Sequence, residues 1–308
     1  MKTLKLFQIL SLLLAAILCS CSKEGTPVQE EDKFYTVSLN FNGDITTADS
    51  PLTRGTATDD LYGLVVWQDG SFFGGGLYDN VENMKVRLQS SKKYKFVVTA
   101  VKNGKNVLYM DMEDEYSYPF PGMKLLNKLD CGSNYGNWFQ YGTSQMKDGE
   151  EYRNPETDRF YGEVDNYTPT ENGVVNMDLK RTAFGLQYKV SGVSDGKVSV
   201  TIKKDHEIFF RESNITTDYT SEEKVITFYY VGSAWLYADN YTDKVTVSAS
   251  WTRGNGITQD LGSKEVVVKR NRMNIIHIKL ATEESGSNLG IETESDSDMN
   301  DESVIITF

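Results

Sequence analysis

The sequence has few residues of the kinds that build disulfides, metal sites or a basic surface. Its 308 residues include three cysteines and two histidines, and 44 acidic residues outnumber 32 lysines and arginines. The formal net charge of −12 argues against nucleic acid as a partner, because phosphate binding needs a basic face. Prolines are also scarce, at six, so little in the chain interrupts β-strand pairing.

The N-terminus has the pattern of a lipoprotein signal peptide. Residues 6–18 are mostly apolar and follow two lysines, but they are too few for a comfortable membrane span. The run ends in LCSC at Cys21, which resembles a bacterial lipobox, and the SKE that follows resembles the tag of lipoproteins sent to the outer face of the outer membrane. We expect residues 1–20 to be removed and Cys21 to carry acyl chains that hold the protein at a membrane. The alternative is an ordinary cleaved signal in which Cys21 is incidental.

The remaining cysteine and both histidines lack the neighbours that catalysis or metal binding needs. Cys131 is alone in the body of the chain, which excludes an intramolecular disulfide and a cysteine-based zinc site. His206 lies in the charged segment KKDHE, and His277 lies between two isoleucines on the opposite face of its predicted strand. No serine-elbow, phosphate-loop or zinc-binding motif is present. The sequence predicts a protein that is not an enzyme and has no cofactor or metal.

The body of the chain has the composition and the patterning of a β protein. Tyr, Phe, Val, Thr and Gly are abundant, and no long helix is indicated. Asn103-Gly104 and Asp195-Gly196 predict turns, the first of them in a hairpin that continues through Val107. The glycine-rich run at residues 72–78, FFGGGLY, predicts either a bulge or an exposed loop. Apolar runs predict strands at residues 35–41, 61–67, 84–88, 94–101, 107–109, 175–179, 184–190, 198–202, 225–230, 245–251, 266–268 and 276–280, a pattern typical of β-sandwiches.

Three segments outside this body bear on function. Arg54 is a lone basic residue in the polar stretch 46–60, which is either a solvated linker or a protease site. Between residues 283 and 302 there are eight acidic residues and no basic one, which predicts a solvated, self-repelling linker, with weak calcium binding as the alternative. The chain then ends in the apolar run VIITF at residues 304–308, and an exposed strand of that kind is an aggregation hazard unless a partner groove receives it.

Taken in order along the chain, these motifs resemble the major fimbrillin family of Bacteroidetes, the type V pilins and their surface-lipoprotein relatives. The resemblance covers nearly the whole chain. It rests on the lipobox at Cys21, the strand at residues 35–41, the TRG of residues 53–55, DLYGLVVW from Asp60, LKRTAFGLQYKV at residues 179–190 and KRNRMNIIHIKL at residues 269–280.

The resemblance implies an all-β fold of two transthyretin-like β-sandwich domains in tandem. The N-terminal sandwich would comprise residues 55–170 and the C-terminal sandwich residues 171–281. Residues 21–54 would be a lipidated propeptide with a removable first strand. Residues 282–308 would form the acidic linker and a terminal donor-type strand.

The resemblance also implies a function as a structural subunit of a cell-surface fimbria that supports adhesion. An arginine-specific protease would cut between Arg54 and Gly55 and release the first strand. A C-terminal strand from another pilin subunit, of the same or a related kind, would then fill the vacated groove. The displaced side chains would be Tyr35, Val37, Leu39 and Phe41, and the incoming ones would be Val304, Ile306 and Phe308.

A second function is compatible with the same fold and location at the outer membrane. The chain would remain uncut and lipid-anchored, either as a pilus anchor or cap or as a module that binds a glycan or a host protein. The aromatic runs YGNWFQY, at residues 135–141, and FFGGG, at residues 72–76, are the candidate binding surfaces, because exposed aromatic rings stack on sugars or dock on proteins.

Overall fold

The computed structural model describes the chain in ten segments and is almost entirely β. These segments are residues 32–43, 59–107, 117–118, 120–121, 125–131, 145–147, 150–152, 156–228, 241–280 and 291–294. The all-β prediction is confirmed, since strands account for nearly all of the regular structure. The number of domains stays a prediction.

The strands of the N-terminal half follow the predicted pattern closely up to residue 101. They are β1 (Phe34–Gly43), β2 (Leu61–Gln68), β3 (Ser71–Tyr78), β4 (Lys85–Gln89), β5 (Tyr94–Val101), β6 (Ser117–Tyr118), β7 (Phe120–Pro121), β8 (Asp130–Cys131), β9 (Gln145–Lys147), β10 (Glu150–Tyr152), β11 (Arg159–Tyr167) and β12 (Gly173–Arg181). The described part of this half also contains a 3-10 turn at Val81–Asn83 and the short helix α1 (Gly104–Val107).

The described part of the C-terminal half contains nine more strands. They are β13 (Ala183–Ser191), β14 (Lys197–Lys204), β15 (Glu207–Ile215), β16 (Tyr219–Thr220), β17 (Lys224–Thr227), β18 (Thr242–Thr252), β19 (Thr258–Lys269), β20 (Met273–Lys279) and β21 (Ile291–Glu294).

The first core lies within a single sheet of eight strands, in the order β4-β1-β12-β11-β5-β2-β3-β8. β1 and β2 are four positions apart in this order, which in a flat sheet would separate them by about 19 Å. Yet the rings of Phe41 on β1 and Tyr62 on β2 are in contact, with centroids 5.8 Å apart. The sheet therefore folds over, so that β4, β1 and β12 form one layer above β11, β5, β2 and β3.

The second core lies between a five-stranded and a four-stranded sheet. In the first of these sheets β13 pairs in parallel with β20, and β20 pairs with β21; the second has the order β15-β14-β18-β19. Side chains from both sheets, such as Tyr188, Ile278, Val200 and Val247, share one buried cluster. This arrangement is a β-sandwich.

The change from one core to the other falls later than the predicted boundary after residue 170. β12 pairs with β1 and β11, and its inward side chains Val175, Met177 and Leu179 belong to the first core. The second core begins with Phe184 on β13. The prediction assigned β12 to the second block because alternation along a strand reveals which face is buried, but not which partner strand covers it.

The hairpin predicted after Asn103-Gly104 is wrong, because the chain turns into α1 rather than into a strand. Asn103 has a positive φ of 55°, and its backbone N–H donates to the Asp60 carboxylate at 2.8 Å. Gly104 is buried, and a Cβ there would lie 2.8 Å from the side chain of Leu61. This close approach to β2 directs the chain into one helical turn. The end of the predicted hairpin, at residues 108–109, lies outside the described residues.

Two further predictions are resolved by strand pairing. In the FFGGGLY run the predicted bulge is confirmed, because the register of β3 against β2 shifts between Val66 and Trp67. The alternative, an exposed loop, is wrong because residues 74–78 are buried within β3. Within the acidic stretch 283–302, residues 291–294 form β21 on the edge of β20, so this part is not the solvated linker that was predicted.

Candidate functional site

The candidate site is β1 together with the two strands that hold it. β1 lies between β12, which it pairs in parallel from Val37↔Gly173 to Gly43↔Leu179, and β4, which it pairs antiparallel from Phe34↔Gln89 to Ser38↔Lys85. A strand with partners on both sides occupies a slot about two interstrand spacings wide, or roughly 9.6 Å. Without β1, the described neighbours β4 and β12 would border a groove as wide as one strand.

The inner face of β1 is the apolar row that the sequence predicted. Val37 is fully buried, Leu39 is 5% exposed and Phe41 is 3% exposed, while Tyr35 is half-buried beside its pairing partner Leu88. Burying side chains of this kind contributes about 2 kcal/mol each. The row therefore supplies several kcal/mol to the first core, and its removal would expose an apolar trough.

Beyond Phe34, the outer face of β1 is polar and bonds mainly to β12 and to Asn172 just before it. The Asn40 side-chain amide donates to Asn176 Oδ1 at 2.9 Å, and the Thr36 backbone N–H donates to Asn172 Oδ1 at 2.7 Å. β1 itself carries no charged residue. The described contacts of β1 are backbone ladder bonds, hydrogen bonds between neutral groups, and apolar packing. The one described contact with a charged group is that of the Phe34 ring, whose centroid lies 4.7 Å from the guanidinium of Arg87.

The C-terminal end of β1 is fixed by a close approach between backbones. Gly43 has a φ of 88°, and a Cβ at this position would lie 2.6 Å from the carbonyl oxygen of Leu179 on β12. Only glycine tolerates both that angle and that distance. β1 therefore ends at Gly43 against the end of β12, before the chain continues towards β2.

The other site residues predicted from the sequence lie outside the described residues. They are Cys21, Arg54, Gly55, Val304, Ile306, Phe308 and the aromatic run at residues 135–141. Of the second aromatic run, Phe72 and Phe73 are half-buried; they pack edge-on against Trp67 and Tyr94, respectively.

An open pocket of about 440 Å³ lies beside Trp67, where sequence reasoning placed no site. Its Asp69 pairs with Lys92 at 2.9 Å, and this hydrogen bond, together with the backbone N–H of Lys93, lowers the pKa of Asp69. The ring of Trp67 is half-buried, which gives the pocket an apolar wall inside a polar rim. The lining residues are Trp67, Asp69, Gly70, Lys93, Tyr94, Lys95, Asp165 and Asn166.

The described residues contain little that could support metal chemistry. Within these segments, no group of three or more His, Cys, Asp and Glu side chains is placed to hold a metal ion. His206 is exposed and His277 is half-buried on β20. Cys131 is a free, exposed thiol. None of the helices in the described part of the chain is long and apolar enough to cross a membrane.

Comparison with solved structures finds matches over most of the chain at low sequence identity. The chain is similar to a candidate cell adhesion protein from Bacteroides eggerthii, with 10% identity, a TM-score of 0.42 and coverage of 87% of this chain and 96% of that one. It is also similar to the fimbrial anchor protein Mfa2 from Porphyromonas gingivalis, with 10% identity, a TM-score of 0.37 and coverage of 86% and 98%. A fimbrial assembly protein from Parabacteroides distasonis gives 12% identity, a TM-score of 0.34 and coverage of 90% and 100%. No protein-family model and no curated protein sequence matches the chain.

Proposed function

We propose that the chain is a fimbrillin-type subunit of a cell-surface fimbria, with β1 as a strand that is removed before assembly. The observation that carries the proposal is that β1 is an inner strand of its layer but is the first strand of the described chain. Its connection to β2 runs through residues 44–60, the polar stretch that contains Arg54. One cut in that stretch separates β1 from the rest of the fold without breaking any other described strand.

The proposed pathway begins at the membrane. Cys21 carries the lipid that anchors the exported chain in the outer membrane, and an arginine-specific protease cuts between Arg54 and Gly55. Loss of β1 then opens the groove between β4 and β12. An apolar groove with unpaired backbone groups on both sides is a template for an incoming strand.

Two segments of the chain share the same alternating apolar pattern. Residues 37–41 read VSLNF and residues 304–308 read VIITF, so Val, an aliphatic residue and Phe occur at alternate positions in both. A C-terminal segment in the orientation of β1 would present Val304, Ile306 and Phe308 to the places of Val37, Leu39 and Phe41. Because donation from one subunit to the next does not close on itself, it propagates into a fibre.

The test is limited cleavage of the chain from Ser22 onward by an arginine-specific protease, followed by mass spectrometry and sizing without denaturant. We expect a first cut after Arg54, release of β1 and growth of oligomers. An Arg54→Gln variant should remain uncut there, and a variant without residues 304–308 should be cut but stay monomeric. A stable monomer after the cut at Arg54 in the full chain contradicts strand exchange.

The pocket beside Trp67 favours a second candidate function, in which an uncut, lipid-anchored chain binds a glycan. An indole wall with carboxylate, amide and ammonium groups at the rim provides both a stacking face and hydrogen-bond partners for a sugar. Titration with cell-surface oligosaccharides should quench tryptophan fluorescence in the parent chain and in a Trp251→Phe control, but not in Trp67→Phe. Equal quenching in the two variants contradicts this function.

A further inference from the structure

The tripeptide TRG occurs twice in the chain, at residues 53–55 and again at residues 252–254. If an arginine-specific protease activates the protein at the first copy, the second copy is a competing substrate of identical local sequence. A cut at the second copy would separate β18 from β19, whose inward side chains Val247, Trp251 and Val266 belong to the second core. The fold therefore needs a means of keeping the protease from Arg253.

Both polar atoms of the Arg253–Gly254 peptide bond are already hydrogen-bonded. The carbonyl oxygen of Arg253 accepts the backbone N–H of Gly256 at 2.9 Å. The N–H of Gly254 donates to Asp195 Oδ2, also at 2.9 Å. A protease must hydrogen-bond the carbonyl oxygen of the bond that it cuts with its own donors. The hydrogen bonds that this peptide bond makes within the protein therefore have to break before it can be cut.

The side chain of Arg253 is also occupied. Its guanidinium carbon lies 3.5 Å from the centroid of the Trp251 ring, and Nη1 lies 3.8 Å from Asp195 Oδ1. Trp251 is in turn fixed by its indole N–H, which donates to the backbone oxygen of Asp195 at 2.8 Å. An arginine-specific protease requires the guanidinium in its own acidic pocket, and here it is stacked on a ring beside a carboxylate.

The turn itself holds the backbone away from an extended shape. The N–H of Arg253 donates to the carbonyl of Ile257 at 2.9 Å, and the N–H of Ile257 donates to Asn255 Oδ1 at 3.0 Å. Gly196 packs against this backbone so closely that a Cβ there would overlap the carbonyl oxygen of Thr252. Hydrogen bonds on both sides of the scissile bond therefore have to open before the segment can lie extended in a protease cleft.

We propose that Asp195 acts as a positioning residue that closes the second TRG to arginine-specific proteolysis, so that processing selects the first copy. Asp195 is the one described side chain that contacts both the Gly254 N–H and the Arg253 guanidinium. The inference rests on the proposed activation at Arg54 for its biological meaning. The protection of Arg253 is nevertheless a separate property of the β18–β19 turn.

The test compares cleavage kinetics of the chain from Ser22 onward and of two aspartate variants. Asp195→Ala removes both contacts. Asp260→Ala is the matched control, because Asp260 accepts the Gly262 N–H at 2.8 Å in the same hairpin but has no described contact with Arg253. Loss of one charge-assisted hydrogen bond should raise the population of the open turn, and with it the cleavage rate, about tenfold or more. Mass spectrometry reports the cuts after Arg54 and after Arg253 as separate peptides.

The expected result is a faster cut after Arg253 in Asp195→Ala alone, which disappears in the double variant Asp195→Ala/Arg253→Lys. Three results would overturn the proposal: an unchanged rate at Arg253, equal acceleration in Asp260→Ala, or acceleration at other arginines such as Arg211, which indicates global unfolding. Absence of a cut after Arg54 in every variant would count against the proposed activation, but it would leave the result at Arg253 fully readable.

Discussion

The ring of Phe41 stacks on the ring of Tyr62, with centroids 5.8 Å apart and an angle of 19° between the planes. Phe41 is on the inner strand of one layer, and Tyr62 is on β2 of the opposite layer. Both are nearly inaccessible, at 3% and 1% exposure. The strand proposed to leave on activation therefore contributes an aromatic contact at the centre of the first core.

Replacement of Phe41 by alanine should reveal how much of the first core depends on β1. We expect the free energy of unfolding to fall by about 3–4 kcal/mol, since the variant loses both apolar transfer and packing and leaves a cavity. Chemical denaturation of the purified chain measures the loss. Thr36→Ala, on the exposed face of the same strand, should change stability by less than about 0.5 kcal/mol. Equal effects from the two variants would mean that β1 does not contribute to the core.

A second prediction concerns the ion pair between Arg181 and Asp158, close to the point in the sequence where the first core ends and the second begins. The side chain of Arg181, at the end of β12, is 7% exposed, and its Nε and Nη2 donate to the two oxygens of Asp158 at 2.8 Å. Its Nη1 donates to Asn271 Oδ1, just before β20, at 3.1 Å. Arg181 therefore links β12 of the first core to the turn that precedes β20 of the second.

Replacement of Asp158 by Asn should lower the free energy of unfolding by about 3 kcal/mol, because it leaves a nearly buried guanidinium without its charged partner. Denaturation monitored by tryptophan fluorescence measures the change. The exposed pair Lys244–Glu265, at 2.7 Å, provides the comparison, and Glu265→Gln should have no measurable effect. The prediction fails if the Asp158 variant is as stable as the Glu265 variant.

The strands that the sequence revealed have either one clean buried face, as in β1, or a long continuous apolar run, as in β2. Val37, Leu39 and Phe41 alternate with polar residues, and this alternation predicted β1 correctly. β11 and β15 were missed for two different reasons. The start of β11, RFYG, is buried on both faces, and β15 is an edge strand whose residues 211–214 are all exposed. Neither segment shows a regular period of two.

The candidate site was only half predictable. The sequence indicated which strand we propose to be displaced, but not that β4 and β12 would form the walls of its groove. Val37 pairs with Gly173 across a long sequence separation in a parallel ladder, and no local pattern carries that information. The protection of Arg253 was missed for the same reason, since Asp195 lies in the loop between β13 and β14, far from Arg253 in the sequence.

A third prediction compares Gly76 and Gly173, two glycines that lie in strands but differ in how much room a side chain would have. A Cβ at Gly76 on β3 would lie 2.5 Å from the carbonyl oxygen of Lys128 and 2.8 Å from the ring of Tyr78, whereas a Cβ at Gly173 would meet nothing within 4 Å. Gly76→Ala should therefore push the segment before β8 away from β3 and lower the melting temperature by several degrees. Gly173→Ala should leave it unchanged or slightly higher, because alanine restricts the unfolded chain. Differential scanning calorimetry checks both, and a normal melting temperature for Gly76→Ala would contradict the close approach of the two backbones.

The last prediction is a loss of stability in acid that depends on Asp79. Burial alone would raise the pKa of this carboxyl group. It also accepts hydrogen bonds from Lys105 Nζ at 2.6 Å and from the Asn127 side-chain amide at 2.7 Å. These two contacts outweigh the burial effect and hold the pKa below the ordinary 3.8. The unfolded chain therefore takes up the proton first as the pH falls. The stabilising contribution of Asp79 is fully present above about pH 5 and is lost as the pH drops through the folded-state pKa.

The variant Asp79→Asn should lack this contribution at every pH. Its deficit in unfolding free energy relative to the parent chain should be largest near neutral pH and should shrink below about pH 4, where the parent carboxylate is also protonated. Denaturation curves at a series of pH values measure the difference. Lys105→Gln removes the ion pair but keeps the Asn127 contact, so its deficit should shrink over the same range and be smaller. Parallel curves for the parent and Asp79→Asn across the whole range would show that this carboxylate does not couple folding to pH.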